Sequence, residues 1–333
     1  MAATISEYLM AEAEVKKAEP VNLAVIDCGT NTFNLLVAAV EADGTWQTVF
    51  QNKLPVKLGA GGFAQHHITA QRYMRGMDAL YCHTQNAANL QCKPVYAFAT
   101  SAIREAANGK AFVADAKKYF DLDIEIIDGN REAELIYAGI TQTTELGNAT
   151  ALVMDIGGGS TEFLIANHKG ILWKQSFMLG VSRLHEQLQP ADPIVQNDIN
   201  RLQHVLDETL PTLKEAIGRY APSVLIGSSG SFDTLLDLYM AGSGNQTKEV
   251  KLSNNIPLHA FPGICHALIG STYQQRLRHP HIPDIRAEYM PLAAQLVMYV
   301  LSLADFKNLI HSAYSLKEGA MQEVVKRWKH DAR

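Results

Sequence analysis

Ala151-Leu152-Val153-Met154-Asp155-Ile156-Gly157-Gly158-Gly159-Ser160-Thr161-Glu162-Phe163-Leu164-Ile165-Ala166 reads as strand, glycine turn, strand. The apolar run ahead of Asp155 has the length and Val/Leu/Met content of a buried strand, and three glycines reach backbone angles that other residues avoid. With no side chains over their amides, such a turn can aim several N–H groups at one anion. Asp155 at the strand end and Glu162 on the return strand place carboxylates nearby. Phosphate accompanied by a divalent cation fits that pairing of amides and carboxylates.

The pattern occurs twice. Asp27-Cys28-Gly29-Thr30-Asn31-Thr32 follows a strand candidate over 21–27, and the run from Asp27 to Leu36 and Ala38 lies over Asp155 to Leu164 and Ala166 at a constant offset of 128. Asn34 falls opposite Glu162 in this alignment. Each copy continues into a turn, Asp43-Gly44 or Lys169-Gly170, and then a third strand, so the sequence predicts a tandem duplication.

After the first copy, the pattern predicts a helix over 69–90, a strand over 94–99, helix over 102–120 with a weak point at Asn108-Gly109, and a strand over 123–127. A three-strand meander followed by alternating helices and strands is the order of a ribonuclease-H-like layer. The expected fold class is therefore α/β: two tandem ribonuclease-H-like (actin-like ATPase) domains with an interdomain cleft. The expected division is a leader over 1–20, a first domain over 21–131 plus 313–333, and a second over 132–312. The second copy runs through helices to a strand over 223–226. Gly227-Ser228-Ser229-Gly230-Ser231 follows as a third glycine-rich loop of phosphate-binding type, opening a helix.

Composition narrows the function classes. The chain has 333 residues, which suggests about two domains. With 29 Lys+Arg against 34 Asp+Glu, the net charge of -5 gives no bulk attraction to a nucleic acid polymer or a membrane surface. The four cysteines, Cys28, Cys82, Cys92 and Cys265, lack C-x-x-C spacing, which argues against a disulfide framework or zinc site and for a reduced, cytoplasmic setting. The apolar stretch 291–306 is shorter than the roughly 20 residues that span a bilayer, so a buried helix is expected.

Two facing glycine turns, each preceded by Asp, form a clamp. Amides of Gly29, Thr30, Asn31 and Thr32 on one side, and of Gly157, Gly158, Gly159, Ser160 and Thr161 on the other, take phosphate oxygens. Asp27, Asp155 and Glu162 would hold Mg²⁺ or another divalent cation, directly or through water. Ser101 and Arg104 open a helix after a strand, where they could meet a terminal phosphate or serve as a helix start with a solvated arginine. A helix over 130–143, started by Asp128, carries Glu132 at the edge of its apolar stripe, aimed at the seam between the modules. Glu132 is a candidate general base; a first-turn carboxylate favoured by the helix dipole is the other reading. Arg276, Arg278 and Arg286 with His279 and His281 form one basic patch; Lys326, Arg327, Lys329 and Arg333 form another.

The chain resembles the exopolyphosphatase and guanosine pentaphosphate phosphohydrolase (Ppx/GppA) family of the actin/sugar-kinase/chaperone superfamily, over about residues 22–325. The stretches that carry the resemblance are 25–32, 99–104, Ile127-Asp128-Gly129-Asn130-Arg131-Glu132-Ala133, 155–162, Leu179-Gly180-Val181-Ser182-Arg183-Leu184 and Ser315-Leu316-Lys317-Glu318-Gly319. The resemblance implies Glu132 as catalytic base and Asp155 with Glu162 as a metal-linked acidic pair. It implies Asn31, Arg104 and residues 157–160 as phosphate-binding groups, and Arg286 as the family's late arginine. It departs at Asn34, where many members carry arginine or histidine, and at Glu134, where arginine is usual. The resemblance is to a short two-domain form of the family, and a long C-terminal helical domain such as some members carry is not expected.

The expected activity is release of terminal phosphate from inorganic polyphosphate or of the 5′ γ-phosphate of guanosine pentaphosphate, a nucleotide of the stringent response. Alternatives are an ATP-dependent kinase on the same scaffold and a catalytically weak sensor of guanosine tetra- or pentaphosphate. A homodimer is an open alternative to a monomer.

Overall fold

β1 (Val21–Cys28) is apolar along nearly its whole length, as a strand covered on both faces must be. The computed structural model describes residues 19–243 and 251–331, so most of the expected leader, the residues 244–250 and Arg333 lie outside the described residues. From β1 the chain runs through β2 (Thr32–Val40), β3 (Trp46–Pro55), α1 (Ala70–Asn89), β4 (Val95–Ala99), α2 (Ser101–Glu105), α3 (Gly109–Phe120), β5 (Ile124–Ile126) and α4 (Gly129–Ile140). The second half begins with β6 (Ala151–Ile156), β7 (Thr161–Asn167), β8 (Gly170–Phe177), α5 (Val181–Leu188), α6 (Gln196–Thr209), α7 (Pro211–Tyr220), β9 (Val224–Ser228) and α8 (Ser229–Ser243). It closes with β10 (Ser253–Ile256), α9 (Phe261–Gly270), α10 (Tyr273–Leu277), α11 (Asp284–Ala287), α12 (Met290–Leu301), β11 (Asn308–Ser312) and α13 (Leu316–Asp331).

The first sheet has the order β3-β2-β1-β4-β5, and the second has β8-β7-β6-β9-β11 with β10 added at its edge. The duplication extends to individual hydrogen bonds. Asp27 pairs with Asn34 across β1 and β2, and Asp155 pairs with Glu162 across β6 and β7. The turns close alike, with Gly29 N donating to Thr32 O at 3.1 Å and Gly157 N to Ser160 O at 3.0 Å. Even the pleat irregularities coincide: one lies between Val37 and Ala38, the other between Ile165 and Ala166, again 128 residues on. The fold is thus α/β, two tandem ribonuclease-H-like layers.

Three apolar layers hold the sheets. Ala24, Ile26 and Cys28 pack outward with α1 and α3, while Leu152, Met154 and Ile156 pack outward into the larger core of the second half. The alternate residues, Leu23, Val25, Ala151 and Val153, face each other across a middle layer made by α4 and α13. α13 lies on β1 and β2, and α4 on β7 and β8; the expected boundary after Arg131 falls inside α4. Asp128 caps that helix by accepting from Arg131 N at 2.8 Å.

α4 and α13 cross backbone to backbone. A methyl group on Gly139 would stand 2.1 Å from Ser315 O, and one on Gly319 would stand 1.8 Å from Leu135 O. Only glycine permits that approach. The apolar stretch read from 291 onward is the buried helix α12, and among the described residues no helix is long and apolar enough to cross a membrane. All four cysteines are free thiols.

Candidate active site

Strand periodicity alone places two carboxylates face to face. Asp27 shares the inner face of Leu23 and Val25, and Asp155 that of Ala151 and Val153, so both end their strands pointing toward the other module. The cleft between them encloses about 190 Å³. Both glycine turns line it, with Glu132 from α4, the start of α8, and Lys53, Asp233, Arg286, Ser315 and Lys317.

The 157–159 loop is oriented by α5. Its carbonyls accept from Val181 N, Ser182 N and Arg183 N at 3.0–3.1 Å, and Arg183 Nε donates to Gly159 O at 2.8 Å. With the carbonyl oxygens drawn to α5, the loop offers a phosphate little repulsion from its own backbone dipoles. The first turn meets both α5 and the second turn: Ser182 Oγ of α5 donates to Asn31 Oδ1 at 2.8 Å, and a methyl group on Gly158 would stand 2.7 Å from the Asn31 side chain.

Asp27, Asp155 and Glu132 line the cleft and Glu162 lies behind them, and burial raises each carboxyl. Asp27 is pushed up to about 6 by burial, against a 2.9 Å hydrogen bond from Asn34 Nδ2. Burial also raises Asp155, opposed by Ser315 Oγ at 2.5 Å and Ser228 Oγ at 2.7 Å. Glu162 is pushed up to about 7 by burial and then by Asp155, with Ser160 and Ser176 opposing. Glu132 lies well above the ordinary carboxyl range, through burial first and Glu162 second, and Arg104 Nη1 at 2.9 Å holds it down only in part.

The Glu162 carboxyl supplies a stability test. Its folded pKa exceeds its unfolded one, so the folded chain holds the extra proton, and stability falls as pH rises from about 4.5 to about 7. Glu162→Gln is expected to be more stable than wild type at pH 8, on the order of 1–3 kcal/mol, and to lose that advantage at pH 5. Urea unfolding at both pH values measures this. A variant that is less stable at pH 8 shows the ionised carboxylate to be well satisfied.

Oxygen-only donors suit a hard cation such as Mg²⁺. Among the described residues, however, no three His, Cys, Asp or Glu side chains gather into a ligand set, so Asp27, Asp155 and Glu162 do not form a preformed cage. Glu162 is 2% exposed and does not line the cleft, so of these three expected ligands Asp27 and Asp155 are the ones that face it. That donor set fits Mg²⁺ in the form in which one or two carboxylates share the ion with substrate phosphates.

Of the other expected groups, Gly29, Thr30, Asn31, Thr32, Gly157 to Ser160, Ser229, Gly230, Ser231 and Arg286 line the cleft. Ser101, Arg104, Thr161, Gly227 and Ser228 do not, and each has a structural partner instead. Ser101 Oγ donates to Glu105, Arg104 to Glu132, Thr161 Oγ1 to Leu179 O and Ser228 Oγ to Asp155. Gly227 makes room for the Phe232 ring. The Arg276–Arg286 patch dissolves: Arg276 is 4% exposed and bonded to Ala287 O, Ser271 and Asp192, while Arg286 turns into the cleft. Asn34 spends its amide on Asp27, and Glu134 pairs with Arg131 and Lys174 outside the cleft.

Sequence reasoning missed Lys53, Lys317 and Asp233. Lys53 is the register partner of Asn34, itself the partner of Asp27, so a lateral row across three strands brings it to the cleft. Asp233 Oδ1 lies 2.9 Å from His311 Nε2 and Oδ2 3.4 Å from Arg286 Nη2; despite burial, these partners hold it below the ordinary range. A bridge of this kind fixes Arg286 over Gly230, where the guanidinium covers the start of α8.

Two copies of one layer closing on a glycine-lined cleft define the ribonuclease-H-like class of phosphoryl-handling proteins. Within that class the chain belongs to the Ppx/GppA phosphatase family, whose model matches residues 36–328. An exopolyphosphatase from Cytophaga hutchinsonii is 36% identical with a TM-score of 0.89, over 92% of this chain and 98% of its own. A Ppx/GppA family member from Aquifex aeolicus shares the fold at 21% identity and a TM-score of 0.74, over 92% and 98% of the two chains.

Proposed function

We propose that the chain releases terminal phosphate from inorganic polyphosphate, by in-line attack of a water that Glu132 orients and deprotonates. The observation that supports this most directly is Glu132 itself, a buried carboxyl opening on a cleft walled by two amide-bearing turns. A base works best with a pKa near the operating pH, and burial with Glu162 raises this one in that direction. The water oxygen bonds to the terminal phosphorus, the bond from that phosphorus to the bridging oxygen breaks, and the proton passes to Glu132. The departing chain, shorter by one phosphate, carries its new negative charge toward Lys53, Lys317 and Arg286. Mg²⁺ or another divalent cation, held by Asp27 and Asp155, would supply charge neutralisation to the phosphate oxygens.

The lining favours polyphosphate over guanosine pentaphosphate. Among the described residues that line the cleft, Tyr289 is the one aromatic. Its ring already meets His185 edge-on at 5.6 Å and Lys57 at 5.3 Å, which leaves little flat surface for a guanine. The relative from Cytophaga hutchinsonii, described as an exopolyphosphatase, points the same way. A phosphate-release panel with polyphosphates of defined length, guanosine pentaphosphate and ATP, each with Mg²⁺, tests the reading. Release from polyphosphate above that from the nucleotides is expected. ADP formation with an acceptor and no polyphosphate hydrolysis would assign a kinase, and tight binding without turnover a sensor.

A further inference from the structure

Glu132 is connected to the phosphate loop by an unbroken chain of charged hydrogen bonds that crosses from one module to the other. Arg104 Nη1 donates to Glu132 Oε2 at 2.9 Å and to Ile127 O at 3.0 Å. The second nitrogen of that guanidinium, Nη2, turns away from Glu132 and approaches Glu105 Oε1 at 3.4 Å. The other Glu105 oxygen accepts from Arg183 Nη2 at 3.0 Å, and Arg183 Nε donates to the Gly159 carbonyl at 2.8 Å. Arg183 has no freedom to leave: its guanidinium lies 4.5 Å from the Phe63 ring centroid, and its side chain is 12% exposed. Glu105, 20% exposed, also accepts from Ser101 Oγ at 3.3 Å.

We propose that Glu105 is a positioning residue for hydrolysis: by dividing its carboxylate between Arg104 and Arg183, it fixes the base Glu132 in register with the 157–159 phosphate loop. This rests on the polyphosphate reading above. The physical argument is a competition. An arginine facing a single carboxylate frequently takes it with two nitrogens. Glu105 draws Nη2 aside, so Glu132 receives one hydrogen bond rather than two, and one carboxylate oxygen remains for a water. On the other side, Glu105 fixes the fork of Arg183, whose Nε orients the loop carbonyl away from the cleft. One carboxylate therefore sets both the reach of the base and the alignment of the loop amides with the phosphate as it reacts, an interaction felt in kcat rather than KM.

A carboxylate that merely braced α2 against α5 would behave differently. Its loss would lower the melting temperature and loosen phosphate binding, raising KM with kcat kept. For a positioning residue, Glu105→Gln is expected to lower kcat for phosphate release by about 10²-fold, the scale of a misplacement near 1 Å, with KM little changed. Arg183→Lys keeps the charge but loses the fork. It should cost a comparable factor, and the double variant should lose no more than the worse single one.

A crystal structure of Glu105→Ala, which removes both oxygens, supplies a readout independent of turnover, with both Arg104 nitrogens expected on Glu132. Arg104 unmoved in that structure, or additive losses in the double variant, would overturn the proposal. Wild type inert toward polyphosphate would instead sink the functional reading, and the Arg104 position would still decide the geometry.

Discussion

Phosphate release from polyphosphate is expected to fall by about 10²- to 10⁴-fold when Glu132 is replaced by glutamine, the range a positioned general base contributes. Glutamine keeps the shape and an oxygen that can still accept from Arg104 Nη1, so the change removes proton affinity and little else. Stability should not suffer, because the wild-type carboxyl is buried beside Glu162 and costs free energy when ionised. Steady-state kinetics on a polyphosphate of fixed length, with a melting curve as control, measures both. Unchanged turnover in a folded variant would remove Glu132 from the mechanism and leave water activation to Asp27 or Asp155.

Gly180→Ala is expected to reduce turnover by about 10²-fold and to destabilise the fold by about 1–3 kcal/mol. The backbone at Gly180, with φ -66 and ψ 147, suits any residue, so the effect comes from space alone. A methyl group there would stand 2.3 Å from both Gly158 C and Gly159 N. Those atoms belong to the 157–159 loop and cannot yield without carrying its amides with them. Gly218→Ala in α7 is the control, since nothing lies within 4 Å of its added methyl group, and helix propensity predicts a gain of up to about 1 kcal/mol. Equal, small effects at both positions would mean that the loop tolerates displacement and does not set the rate.

The duplicated layer was legible because a β-turn with two glycine or small residues, flanked by apolar runs, leaves a pattern that survives translation by 128 residues. The nearness of Asp155 and Glu162 followed from that pattern, and the structure adds that they are direct cross-strand partners. The strands β10 and β11 were not legible. Ser253–Ile256 carries one apolar residue, and Asn308–Ser312 has two between polar neighbours; pairing with β9 and with each other makes them strands. In the cleft, turns and strand ends could be read because their geometry is local. Arg104 could not: facing Glu132 or facing substrate depends on where α4 lies, and that is a tertiary fact. Lys53 was hidden for the same reason, two strands over from Asp27.

The crossing of α4 and α13 sets a dimension of the site from behind it. Helices normally stand 8–10 Å apart according to the side chains between them. Here Gly139 and Gly319 put nothing between them, so the two layers approach by the thickness of the missing side chains. Asp27 and Asp155 ride on the strands that those helices support. The width of the cleft between Asp27 and Asp155 is thus gauged by two hydrogen atoms at a helix crossing behind it.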